Sequence, residues 1–412
     1  MKTFLKKYWS IILLVIVLIV ISGLSFVPGK YLLSNDNYSP ELNPGLTLLR
    51  SLISPAWRGY RVLGFASDSE QADIFRTGLM GVLSLATGKN IIGQIYYLIC
   101  LFVGSISMGV LVKEIFNISK LKKYSSLSLL VSGILYISTL WTVWTFYQSM
   151  APYVTNFGFL PLLLYCVYKY IKDSTSRNAL WLFLASLLFT AVSVIATLFI
   201  VDFVFIISFT IFWSIYFGKN RKIIFRKILK TLGIFLATQL FWILPFIYYT
   251  FLVSQDIVGS YVNRTITSSV IDLETQMQTA INTARFYSRI LTDSNGTDFL
   301  YPISQDYFNY DFYKIISLIP AFLAVLGVVF AILKRNFKYI FFFVFAFATW
   351  FLIKVTNQPL GGIFSFLQDH VPLFKQVLRW PSSKLYEIFL ISLNICAVWV
   401  LVDFSAFLKS CF

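Results

Sequence analysis

Asp36 sits in Ser34-Asn35-Asp36-Asn37-Tyr38, just beyond the first apolar segment of a strongly hydrophobic chain. A carboxylate in that position suits general-base chemistry, taking a proton from an incoming hydroxyl while a lipid-held reactant stays in the bilayer. Two sets of cations are candidates to complement it: Arg58 and Arg61 in Trp57-Arg58-Gly59-Tyr60-Arg61, or Lys375, Arg379 and Lys384 from a late polar stretch. Such groups hold phosphate oxygens, arginine through two parallel hydrogen bonds. Asp68, Glu70 and Asp73 offer hard oxygen ligands for a divalent cation, although their spacing matches no calcium-binding loop.

A base beside phosphate-binding cations suits glycosyl transfer from a phosphate-linked donor. The reaction passes through an oxocarbenium-like state, and phosphate leaves well enough that a dedicated general acid is not required. Each residue also has a plainer role. Asp36 fits a helix cap or an Asx-turn, and Arg379 and Lys384 fit interfacial anchors beside a span. Other chemistries are poorly supplied. His370 is the only histidine, which excludes a multi-histidine zinc site within the chain and argues against a Ser-His-Asp hydrolase. No phosphate loop, dinucleotide fingerprint or solenoid repeat is present.

The elements that must position these residues are membrane spans. The chain is 58% hydrophobic, 18% aromatic and only 13% charged, with a mean hydropathy of +0.76. This composition indicates an all-α polytopic membrane protein and no soluble domain. A net charge of +16 would suggest nucleic acid in a soluble chain, but here its distribution reads as topology, with no nucleic-acid partner expected. The first apolar run, Trp9 to Val27, follows Lys2, Lys6 and Lys7. Its length favours an uncleaved first span with a cytoplasmic start over a signal peptide cut near Gly23-Leu24-Ser25. Further apolar runs at 91–112, 124–146, 152–171, 179–197, 198–217, 231–252, 313–333, 338–356 and 385–408 bring the expected total to about ten.

Alternate connections carry the basic clusters Lys113 to Lys123, Lys169 to Arg177, Lys219 to Lys230 and Lys334 to Lys338. Positive residues in short loops stay cytoplasmic, so these clusters define one side of the membrane. The same parity requires two crossings between Ala179 and Phe217, with a tight turn near Leu198 to Asp202 and Asp202 near the outer face. Three long connections then fall outside: about 28–90, 253–312 and 357–384. Long loops usually bind or catalyse. Within the first, Leu42, Leu46, Leu49 and Ile53, and then Ala72, Phe75, Leu79, Val82 and Ala86, recur at helical spacing. They predict two amphipathic interfacial helices, with Arg50 or Arg76 towards headgroups.

Trp141, Trp144, Tyr147 and Tyr153 read as an aromatic belt, and Gly104, Ser105, Met108 and Gly109 as a close helix contact. Cys100, Cys166 and Cys396 read as packing residues or free thiols inside spans.

Several stretches resemble the amino-terminal membrane domain of the arabinofuranosyltransferase D-like family, within the GT-C membrane glycosyltransferases. They are a span followed by Asp36-Asn37-Tyr38-Ser39, then Pro44-Gly45-Leu46, Trp57-Arg58, Leu63-Gly64 and Asp73-Ile74-Phe75-Arg76. Arg379-Trp380-Pro381-Ser382-Ser383-Lys384 is similar to the Arg-x-Pro-x-Lys stretch of related enzymes, with one extra residue before the lysine. The resemblance implies a GT-C-like membrane domain over 1–412, complete or part of a longer chain. It implies transfer of a sugar, arabinofuranose being one candidate, from a polyprenyl-phosphate donor to a glycan or glycolipid acceptor on the non-cytoplasmic face. Asp36 matches the family's first-loop acid. The alternatives are a transporter or lipid flippase, and a noncatalytic scaffold that binds glycans or proteins through its outer loops.

Overall fold

The computed structural model describes residues 2–29, 42–53, 57–58, 65–66, 69–88, 91–117, 122–287, 310–333 and 337–411. In chain order the helices are α1 (Lys2–Ser25), α2 (Pro44–Ile53), α3 (Ile74–Ser84), α4 (Ile92–Asn117), α5 (Ser125–Ile137), α6 (Leu140–Tyr147), α7 (Ala151–Lys172), α8 (Ser176–Phe189) and α9 (Ala196–Phe217). They continue as α10 (Arg221–Ala237), α11 (Leu240–Gly259), α12 (Tyr261–Met277), α13 (Ala280–Ala284), α14 (Asp311–Leu333), α15 (Phe337–Ile353), α16 (Gly361–His370), α17 (Phe374–Val377) and α18 (Pro381–Cys411). The β structure among the described residues is a two-residue antiparallel ladder, β1 (Trp57–Arg58) with β2 (Phe65–Ala66).

Seven of the described helices are long and apolar enough to cross a membrane, and nine spans result if each of two bent pairs counts as one. The chain is therefore a multi-pass membrane protein. The bent pairs fall in runs that the sequence presents as continuous. The 124–146 run divides into α5 and α6 at a 55° bend, where Thr139 leaves helical geometry and caps α6 by accepting from the Thr142 N–H. The basic segment expected as a loop before residue 231 is instead the start of α10, capped by Asn220, and α10 meets α11 at 77°. Gln239 holds that corner, donating to Ser186 O at 3.1 Å and accepting from Trp242 Nε1 at 2.9 Å.

The turn expected near Leu198 to Asp202 lies earlier. A 3-10 segment, Thr190–Val194, separates α8 from α9, and Asp202 is buried on the second turn of α9. Helices form at both amphipathic stretches: α2 and α3 pack together and leave Leu46, Leu49, Ile53 and Val82 exposed. Arg76 departs from its expected outward direction and is buried.

The chain divides into two compact units, one of residues 1–17, 105–148 and 266–412, the other of 18–104 and 149–265. In the second, a Cβ on Gly104 would meet Phe157 O at 2.5 Å, and one on Gly158 would meet Cys100 Cα at 2.9 Å. Only glycine permits this approach of α4 and α7, as the small-residue pattern predicts. In the first, Gly109 approaches Leu129 O in the same way, and Tyr339 stacks on Trp399 at 4.1 Å. Cys100, Cys166 and Cys396 are free and buried.

Candidate functional site

Asp36, Arg61 and Asp68 lie outside the described residues, as do the side chains of Arg58 and Glu70. Asp73 is engaged. Its two oxygens accept from Arg76 Nε and Nη2, each at 2.6 Å, and Arg76 also lies over the Tyr96 ring. This paired geometry one turn apart accounts for the burial of the Arg76 guanidinium beside a half-buried Asp73. No group of three or more potential metal ligands occurs among the described residues.

The late cations separate into three environments. Lys375 is exposed on α17 and donates to Asp369 at 3.1 Å. Arg379 is half-buried just ahead of α18. Lys384 lies in the first turn of α18, which begins at Pro381, four residues earlier than its apolar run suggests. Proline suits that position because the first turn of a helix needs no N–H from it. Lys384 is 5% exposed and has no hydrogen-bond or ion-pair partner among the described residues; its charged neighbours are Arg379 and Glu274.

Glu274 is the residue that the sequence reading missed. It comes from α12, in the second long connection, and is 5% exposed. Ser382 holds one of its oxygens, the hydroxyl donating to Oε1 at 2.8 Å, and the Ser382 backbone N–H also favours the charged carboxylate. The carboxylate thereby caps the first turn of α18, where the helix dipole favours negative charge. Its second oxygen, Oε2, is buried with no hydrogen-bond partner. Burial pushes the Glu274 carboxyl up to about 7, against the opposing pull of the Ser382 bonds and then of the Lys384 charge.

One turn beyond Glu274, just past the end of α12, Gln278 joins the same cluster. Tyr386 Oη lies 2.9 Å from both Gln278 Oε1 and Tyr287 O, and Gln278 Nε2 donates to Tyr287 O at 2.8 Å. The end of α12 is fixed from its other side by Asn357, whose amide donates to Thr275 O and Gln278 O, and by a Thr275–Thr356 hydroxyl contact of 3.0 Å. Lys354 sits beneath this turn with its ammonium donating to Asn357 O and Pro359 O. Burial lowers the Lys354 pKa, and carbonyls supply the solvation that water would otherwise give.

Phe286, Val355, Leu360 and Leu373 all take left-handed backbone in the segments of this unit. Such conformations cost about 1–3 kcal/mol each and persist where surrounding contacts over-determine them.

Deeper in α18, Glu387 is buried between Tyr136, whose hydroxyl donates to Oε1, and Trp141, whose Nε1 donates to Oε2 at 2.7 Å. Trp141 and Trp144 are 2% and 1% exposed and stacked at 4.3 Å, so they do not form the expected aromatic belt. Trp141 solvates a carboxylate inside the protein, and Trp144 stacks on Trp141. In the same unit, an apolar cavity of about 420 Å³ is lined by Ala280, Ile281, Ala284, Phe343, Phe347 and Trp350, among others. Helix α13 borders it, and α13 begins two residues after Gln278.

Comparison with known proteins found no matching family model, no matching curated protein and no matching solved structure. The site is therefore described by its own geometry. Of the sequence-predicted cations, Arg379 and Lys384 come together with a carboxylate, whereas Lys375 pairs separately with Asp369. No local signal distinguishes Glu274, one of seven acids between Asp256 and Asp311, because its partner Ser382 lies 108 residues away.

Proposed function

We propose that the protein is a membrane glycosyltransferase of GT-C type, moving a sugar from a polyprenyl-phosphate donor to a glycan or glycolipid acceptor on the non-cytoplasmic face. The observation that carries this reading is Lys384, a buried lysine at the start of a membrane span with no ion-pair partner among the described residues and Arg379 beside it. A buried ammonium is costly unless an anion meets it. A phosphate held at the membrane edge is such an anion, and the first turn of α18 adds a favourable dipole. The apolar cavity in the same unit suits hydrocarbon. In this scheme Lys384 and Arg379 hold the donor phosphate.

The test is transfer by the purified protein, supplied with a panel of polyprenyl-phosphate sugars, arabinofuranose among them, and glycan acceptors. Lys384→Met should raise KM for the donor by about ten-fold or more, the loss expected for a charged hydrogen bond. Unchanged donor KM would remove Lys384 from the site. A flippase is the second reading, favoured by Asp202 and Glu387, two acids buried within spans. Movement of the lipid across proteoliposomes without a new glycosidic bond would select it.

A further inference from the structure

Glu274 has one oxygen committed to structure and one uncommitted. The Ser382 hydroxyl holds Oε1 at 2.8 Å, while Oε2 is buried and has no partner. A buried acceptor with no donor is rare in folded proteins and usually marks a place that something else completes. The carboxylate is not free to turn away. Asn357 fixes the backbone at Thr275 and Gln278, just after it in the chain, and the Thr275–Thr356 contact repeats the restraint. The titratable groups that interact with it are Lys384 and Tyr386, both on α18; Arg379 lies beside Lys384, and Lys354 is already committed to carbonyls. None donates to Oε2. Lys384 comes close enough for its charge to be felt, yet forms no ion pair with Glu274. An unfilled acceptor and an unfilled cation therefore stand in one neighbourhood. The ligand that satisfies both carries a hydroxyl for the first and a phosphate for the second.

We propose that Glu274 binds the acceptor hydroxyl through Oε2 and takes its proton during sugar transfer, an assignment that rests on the glycosyltransferase reading above. The acceptor oxygen forms its bond to the anomeric carbon as its proton passes to Glu274. The bond from that carbon to the phosphate oxygen breaks, and its electron pair leaves on the polyprenyl phosphate beside Lys384 and Arg379. The proton then passes to solvent or to the departed phosphate, which restores the carboxylate. A base whose pKa lies near 7 is well matched to this work at neutral pH. The rigid attachment of α12 supplies the positioning that such a transfer requires.

The experiment compares the wild type, Glu274→Gln, Glu274→Asp and Asp36→Asn, purified in lipid nanodiscs, with the donor and acceptor pair that gives the highest wild-type transfer. Glu274→Gln should lose about 10²–10⁴-fold in kcat while keeping donor affinity. The wild-type kcat/KM should rise with pH through about 7, following ionisation of the carboxyl. Glu274→Asp should recover part of the rate, and Glu274→Gln should show no such rise in its residual activity. A Glu274→Gln protein that keeps wild-type turnover and the same pH profile would overturn the assignment and leave the glycosyltransferase reading standing; loss of the rise in Asp36→Asn alone would give the role to Asp36. If the wild type transfers from no polyprenyl-phosphate sugar, the underlying reading fails and this proposal fails with it. Thermal unfolding of each variant at pH 8 separates lost chemistry from lost fold.

Discussion

Replacing Glu274 with glutamine should change how stability depends on pH, whatever the protein's activity. The folded carboxyl titrates at about 7, raised by burial from an ordinary 4.5. Below 4.5 the folded and unfolded states both carry the proton. Between 4.5 and about 7 the unfolded state gives it up and the folded state keeps it, so stability falls as pH rises; above 7 the loss is complete and constant. The gap between those two values, at about 1.4 kcal/mol per pH unit, makes roughly 3 kcal/mol. Glutamine keeps the size of the side chain, preserves an oxygen for Ser382 and has no proton to release. Glu274→Gln should therefore flatten the decline between pH 5 and 7.5, and above pH 7 it should equal or exceed the wild type. The assay is unfolding of detergent-solubilised protein at pH 5, 6, 7 and 8, followed by tryptophan fluorescence and circular dichroism. If wild type and variant fall in parallel across that window, Oε2 is stabilised by a partner and the reasoning is wrong.

Two further outcomes follow from the other unit. Removing Asp73 as Asp73→Ala leaves the buried Arg76 guanidinium without its bidentate acceptor, and should cost about 3–5 kcal/mol in the same unfolding assay. Gly158→Ala places a methyl 2.9 Å from Cys100 Cα and should cost about 1–3 kcal/mol, whereas Gly233→Ala within α10 meets nothing within 4 Å and should be neutral or stabilising by up to about 1 kcal/mol.

The helical architecture was legible because each span's signal is local. About twenty apolar residues in succession force a helix in lipid, since every backbone N–H and C=O must be paired within the segment. The α4 glycines were legible for a similar reason, because a small residue at helical spacing has few uses other than close approach. The bends were less so. Thr139 and Gln239 look like ordinary polar residues in apolar runs, and only the partners they meet, Thr142 and Ser186, turn them into corners.

The chain by itself determined that this is a multi-pass helical membrane protein, and it placed Arg379 and Lys384 beside a span. Tertiary structure alone decided which charges are companions. It paired Asp73 with Arg76, turned Trp141 inward to Glu387, and brought Glu274 across 108 residues to Ser382 and the neighbourhood of Lys384. Hydrophobicity is a property of each segment and survives in the sequence. The reactivity of a carboxylate is set by its desolvation and its neighbours, which exist only once distant helices have packed.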